Sequence, residues 1–343
     1  MRGITGAAVD LNPFTSQTVR FVDVGFDGPR FIVTVDTEEE FDWSAPFTRD
    51  RHGTSHIAAI DRFQLMCDTH NVRPAYLVDY PIANDAAAVE LLGGYVAQVR
   101  ADVGVQLHPW VNPPFTEEPC VHNSYACNLP PELERAKLTA LHSLIVERFG
   151  VRPQMYRAGR YGAGLNSRKI LRDLGVAIDT SVRSLFDYTG QGGPNYADCP
   201  LEPYWIAEGE LIELPVTTVF SGALRSAGKI LFSHAFQSLT SRGLLARTGM
   251  LERIALTPEG IPAEKAIQAI DIALAQKIPI LNFSFHSPSL AVGHTPYVRN
   301  NEELERFYDW WVQIFAHLEA RGVKPTHVDE IARSAGIILP ERQ

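Results

Sequence analysis

Six short apolar runs end in polar residues whose types could carry out hydrolysis. Asp36 follows FIVTV, with Glu38, Glu39, Glu40 and Asp42 close behind; Asp79 follows AYLV; His108 follows GVQL. Arg157 and Arg160 follow MY, Asp179 follows VAI, and His286 ends the run ILNFSF. A carboxylate such as Asp36 can take a proton from water, and a histidine such as His286 can return one to a leaving amine. An arginine, Arg157 or Arg160, would hold the carboxylate ionised and oriented, because a neighbouring opposite charge lowers its pKa. Each residue also has a plain structural reading. Asp36 would serve as a helix N-cap or a salt-bridge partner, and His108 and His286 as core histidines satisfied by backbone. Trp110 and Tyr161 offer flat faces for sugar rings, or ordinary core packing. With Asp79 they are the residues expected on the substrate side.

The elements that would position these residues alternate along the chain. Strands are expected at 31–35, 74–78, 104–107, 155–157, 176–178, 211–214 and 280–285, and helices at 55–70, 86–100 and 131–149. Strands separated by helices imply parallel pairing through crossovers. Seven of them suggest a barrel, or a barrel with a gap, whose C-terminal strand ends share one face. Residues 1–29 are read as an N-terminal extension and 30–335 as a single barrel domain. The stretch from about 218 to 277 exceeds a simple crossover and is read as a helical insertion roofing the cleft, with helical pieces at 223–246 and 263–276.

Bulk properties narrow the function. A formal net charge of −9 over 343 residues argues against a nucleic-acid surface but leaves room for a local basic pocket. No run has the length of a membrane-spanning helix, and residues 1–14 lack a secretory pattern, so a cytoplasmic protein is expected. Cys120 and Cys127 flank His122 at a spacing that fits no common zinc pattern, and the four cysteines are read as reduced thiols. His52, His56, His70, His142 and His317 are read as surface residues.

The segments 34–43 (TVDTEEEFDW), 104–114 (GVQLHPWVNPP), 156–162 (YRAGRYG), 212–215 (IELP) and 283–289 (FSFHSPS) together resemble the NodB-homology polysaccharide deacetylases, carbohydrate esterase family four. The nearest resemblance is to a subgroup named after WalW. It implies an α/β fold, an incomplete (β/α)7 barrel, and removal of an N-acetyl group from a sugar or glycan precursor. It also implies Asp36 as base, His286 as acid, and Arg157, or alternatively Arg160, as the arginine that orients the base. A divalent metal that holds the attacking water is part of the same implication. Two positions depart from the family pattern. Thr37 stands where a second, metal-binding aspartate is usual, and Asn112 where a second histidine is usual. A substitute site of Glu38, His108 and Asn112 would suit magnesium or manganese better than zinc; the other possibility is no metal at all. The alternatives within this reading are a ureide-type C–N hydrolase and a glycan-binding relic without catalysis.

Overall fold

The computed structural model describes residues 19–232 and 245–339. Its centre is β1 (Arg30–Thr37), eight residues buried on both faces, as its β-branched and aromatic composition requires of a central parallel strand. On one side β1 pairs with β10 (Ile280–His286), and on the other with β2 (Ala75–Val78), both in parallel. The sheet continues in parallel through β3 (Asp102–Leu107), β4 (Met155–Ala158), β5 (Ile178–Asp179) and β7 (Leu211–Glu213). An antiparallel strand, β6 (Tyr204–Ala207), ends the path. The seven parallel strands curl without β7 meeting β10. Irregular backbone occupies that gap: Asn282 N donates to Thr217 Oγ1 and Ser284 N to the Leu256 carbonyl, so the free edge of β10 is hydrogen-bonded.

The strand pleat divides the core in two. Phe31, Val33, Val35, Phe283 and Phe285 face outward to helices α1 (Ile60–Thr69), α3 (Ala86–Ala97) and α4 (Pro131–Phe149), and to a long C-terminal helix, Asn301–Ala320. Trp311 of that helix is fully buried, with its ring 5.6 Å from Phe285 and 5.9 Å from Phe283. Burying a side chain of this size contributes on the order of 2–3 kcal/mol. The inward residues form layers. Ile32, Leu77, Met155, Ile178, Ile212 and Ile280 fill the lower barrel, and Val328, Ile331 and Ala332 of a helix at Val328–Ser334 close it below. Val22 and Val24 join that cluster, so the described part of the N-terminal extension packs on the barrel and hydrogen-bonds to the chain at Pro203 and Trp205. Above the apolar layer the interior turns polar, with Thr34, Arg157, Thr180 and Asn282.

The segment read as a helical insertion is mixed. β8 (Thr218–Ser221) and β9 (Glu252–Ala255) form an antiparallel pair, and the crossover helix Ala263–Ala275 lies where a helix was expected. The partners of this pair are four residues each and distant in sequence, so neither carries a long apolar run. Much of the piece expected to be helical at 223–246 lies outside the described residues; its described start forms two short helical turns, Arg225–Ala227 and Gly228–Ile230.

Candidate active site

The polar upper layer opens into a cavity of about 320 Å³ at the C-terminal strand ends. Asp36 and His286 are register partners on adjacent strands, so the pleat directs both inward at the same height. Arg157 reaches across from β4. It donates through Nη1 to Asp36 Oδ1, through Nη2 to Thr34 Oγ1 at 2.7 Å, and through Nε to the Thr180 carbonyl at 3.1 Å. The guanidinium is almost wholly buried, and these bonds leave it little freedom to rotate. It therefore fixes the Asp36 carboxylate and supplies its counter-charge.

His286 Nε2 lies 3.7 Å from Asp36 Oδ2. Its other nitrogen, Nδ1, is 2.7 Å from Glu259 Oε2, while its backbone N–H donates to Glu259 Oε1 at 3.1 Å. Ser289 Oγ donates to the same Oε1 at 2.6 Å. Burial alone would discharge the ring. The carboxylates of Glu259, Glu38 and Asp36, with the Glu259 hydrogen bond, override it and raise the His286 pKa to about 10. His286 is thus a protonated ring at neutral pH, directed at a fixed carboxylate.

His108 stands on a second support. Glu39 Oε2 is 2.7 Å from Nδ1, Trp110 Nε1 donates to Glu39 Oε1 at 2.7 Å, and the Trp110 ring stacks on the imidazole at 4.3 Å. A carboxylate on Nδ1 selects the tautomer whose Nε2 is an acceptor. That Nε2 lies 3.4 Å from Glu38 Oε2 at the cavity wall. Burial pushes the Glu38 carboxyl up to about 8, offset in part by His286 and His108. Close packing of this wall requires Gly159: a Cβ there would overlap the His108 ring and the Leu107 carbonyl.

The other expected site residues are placed differently, and two of them, Asp79 and Asn112, do not line the cavity. Asp79 is fully buried beneath the cavity wall. It accepts from Glu39 N at 2.7 Å and, as N-cap of the short helix α2 (Tyr80–Asn84), from Ile82 N at 2.9 Å, so it supports the site without reaching a substrate. Asn112 does not line the cavity; its amide nitrogen donates to the carbonyls of Pro113 and Lys137 at 2.7 and 3.0 Å, and its Oδ1 is buried without a partner. Trp110 lines the cavity and is mostly buried, packed between His108 and Phe47. Arg160 lines the cavity, but its guanidinium bonds Ser124 and Gln191; of the two arginines, Arg157 holds Asp36. Tyr161 lines the cavity and stacks on Tyr188. His56, expected at the surface, is buried between Glu40 and Ser287, where it ties the loop after β1 to the loop after β10.

The donor set for a metal can be tested on these positions. Among the described residues, Glu39, Asp79 and His108 bring three ligand atoms within 4.8 Å of one another. Those atoms already serve one another and two backbone N–H groups. The cavity side offers Glu38 and His108 Nε2, with Glu38 Oε1 buried and unpartnered. Because Asn112 is not part of the cavity lining, that side holds two clustered donors among the described residues, short of the three protein ligands of a catalytic zinc. The residues present do not fit such a centre.

Glu259 was missed from sequence, although ERIALTPEG carries a related signal: a short apolar run, Ile254–Leu256, with an acid three residues beyond its end.

No family model and no curated protein matches this sequence. Solved structures do match. The PuuE allantoinase is 12% identical, covers 96% of this chain and 97% of its own, and has a TM-score of 0.50. A family 4 acetyl xylan esterase from Clostridium thermocellum, in complex with a cobalt ion, is 12% identical over 90% of this chain and 92% of its own, with a TM-score of 0.42. A CE4 family pseudoenzyme from Bacillus anthracis is 9% identical over 89% and 66%, with a TM-score of 0.40. The likeness to the allantoinase is one of fold alone.

Proposed function

We propose that this chain is a hydrolase of amide bonds that removes an N-acetyl group from a sugar or glycan precursor. The single observation that carries the reading is the chain of contacts Arg157–Asp36–His286–Glu259, which sets a fixed carboxylate and a protonated imidazole 3.7 Å apart in the lining of one cavity. Asp36 takes the proton of an attacking water, and the tetrahedral intermediate collapses as His286 Nε2–H protonates the leaving nitrogen. Glu259 stabilises the imidazolium and holds the ring with Nε2 toward the substrate, while Arg157 holds the Asp36 carboxyl in place. Pure binding has no need of a base, its orienting cation and a charged acid in one place, which weighs against a glycan-binding relic. The motif set favours the WalW-like subgroup, and a biosynthetic precursor in the cytoplasm as substrate. No helix among the described residues is long and apolar enough to cross a membrane.

A second reading, hydrolysis of a small ureide ring, draws on the two-donor cavity wall. One panel separates the two: acetate release from N-acetylated sugars and ring opening of cyclic ureides, each with the wild type, Asp36→Asn and His286→Ala. Turnover of the true substrate should fall by about two orders of magnitude or more in either variant. Unchanged turnover in both would reject the acid–base assignment.

A further inference from the structure

Two carboxylates that line the cavity each face a cation: Asp36 has Arg157 and Glu259 has His286. Two guanidinium groups of the same lining have no such counterpart. Arg160 donates to two neutral acceptors, Ser124 Oγ and Gln191 Oε1, both at 2.6 Å, and lies 4.2 Å from the Tyr125 ring. Arg183 lies 4.1 Å from the Phe186 ring and 5.4 Å from that of Tyr161, and its Nε is buried without a hydrogen-bond partner. Among the described residues, neither arginine has a carboxylate within ion-pair distance. The chain has 40 acidic residues against 31 lysines and arginines, so carboxylates are plentiful, yet none is placed here. Desolvating a cation without its counter-charge is costly. Arg160 and Tyr161 also both hold left-handed backbone, φ 54° and 59°, a conformation costly for such residues and one that clusters at ligand sites.

Resting on the hydrolase reading above, we propose that the substrate carries an oxyanion, a carboxylate or a phosphate, that docks against Arg160 and Arg183 while its amide faces Asp36 and His286. A guanidinium presents paired N–H donors that match either oxyanion. Both guanidinium groups line the cavity with aromatic rings beside them: Tyr125 and Phe47 for Arg160, Phe186 and Tyr161 for Arg183. The cavity volume, near the lower end for small-molecule sites, suits one substituted sugar ring better than a long glycan.

Binding and turnover are measured separately on the full chain. Calorimetric titration uses N-acetylglucosamine as the neutral probe, N-acetylglucosamine 1-phosphate for phosphate and N-acetylmuramic acid for carboxylate. The proteins are wild type, Arg160→Gln and Arg183→Gln, at low and high salt. One anionic probe should bind at least about tenfold tighter than the neutral sugar at low salt, and which one it is identifies the oxyanion. Salt should erode that advantage in the wild type, a result that does not depend on how the variants fold. Each variant should lose most of it while its affinity for the neutral probe changes less than about twofold. Equal affinity for neutral and anionic probes, no binding of either anion, or a parallel loss for all probes in the variants overturns the proposal. Arginine-dependent anion binding without hydrolysis of any probe would keep the anion site and remove the hydrolase reading. Hydrolysis of the neutral sugar with no anion preference would do the reverse.

Discussion

Replacing Glu259 by glutamine keeps the size and an oxygen for His286 Nδ1–H but removes the charge. In the wild type, burial pushes the imidazole toward neutrality, and Glu259 leads the groups that raise its pKa from 6.5 to about 10. That rise corresponds to differential stabilisation of the charged ring on the order of 5 kcal/mol. Glu38 and Asp36 persist in the variant, so part of the rise survives; the loss should be on the order of two pKa units, or roughly 3 kcal/mol. Histidine-resolved NMR titration, with His286→Ala to assign the resonance, reads this directly. Two consequences follow in sign. A group whose pKa is raised by folding contributes stability that is complete below its unfolded value. For His286 that contribution declines as pH rises above about 6.5 and is gone once pH has passed about 10. The stability gap between wild type and Glu259→Gln should therefore be widest near neutral pH and narrow above about pH 10. If His286 is the acid, the alkaline limb of the turnover profile should move toward neutral pH by the same amount. An unchanged His286 pKa in the variant would refute the view that Glu259 sets the charge of this ring.

Arg157→Met removes the buried counter-charge of Asp36 and the donors to Thr34 Oγ1 and the Thr180 carbonyl; denaturant unfolding should show a loss of about 3–5 kcal/mol. A loss below 1 kcal/mol would mean that Asp36 is solvated. Gly159→Ala drives a methyl into the His108 ring and should cost about 1–3 kcal/mol and displace the His108 resonances, whereas Gly209→Ala, at a turn with open space around it, should leave those resonances in place. With two donors on the cavity side, zinc should be absent in stoichiometric amount by elemental analysis, and turnover should survive chelation; loss of activity with rescue by zinc, manganese or magnesium would contradict the donor count.

Much of the site was legible in the sequence, for a physical reason. Polar residues that interrupt buried parallel strands do so at their C-terminal ends, and in a parallel barrel those ends share a face. Asp36, His108, Arg157 and His286 were found in this way, and the pleat alone placed Glu38 on the same side as Asp36. The helix at Pro131–Phe149 was equally plain, bounded by Pro131 at its first turn and by Gly150 in left-handed geometry at its end.

What depended on distant chain segments meeting was not legible. Arg157 and Arg160 are three residues apart and equally basic; the strand carries the first into the barrel, and the left-handed turn after it leaves the second on the cavity wall. Asn112 keeps the spacing of a ligand, but its amide nitrogen bonds the Lys137 carbonyl on α4 and the residue does not line the cavity. Glu259 and His286 are joined because the backbone at Thr217 and Leu256 closes the barrel gap on β10, a pairing that no local pattern encodes. Local sequence determines which residue types end the strands. Which carboxylate meets which cation is decided by long-range closure of the barrel, because a contact within hydrogen-bond reach depends on the three-dimensional path of both segments.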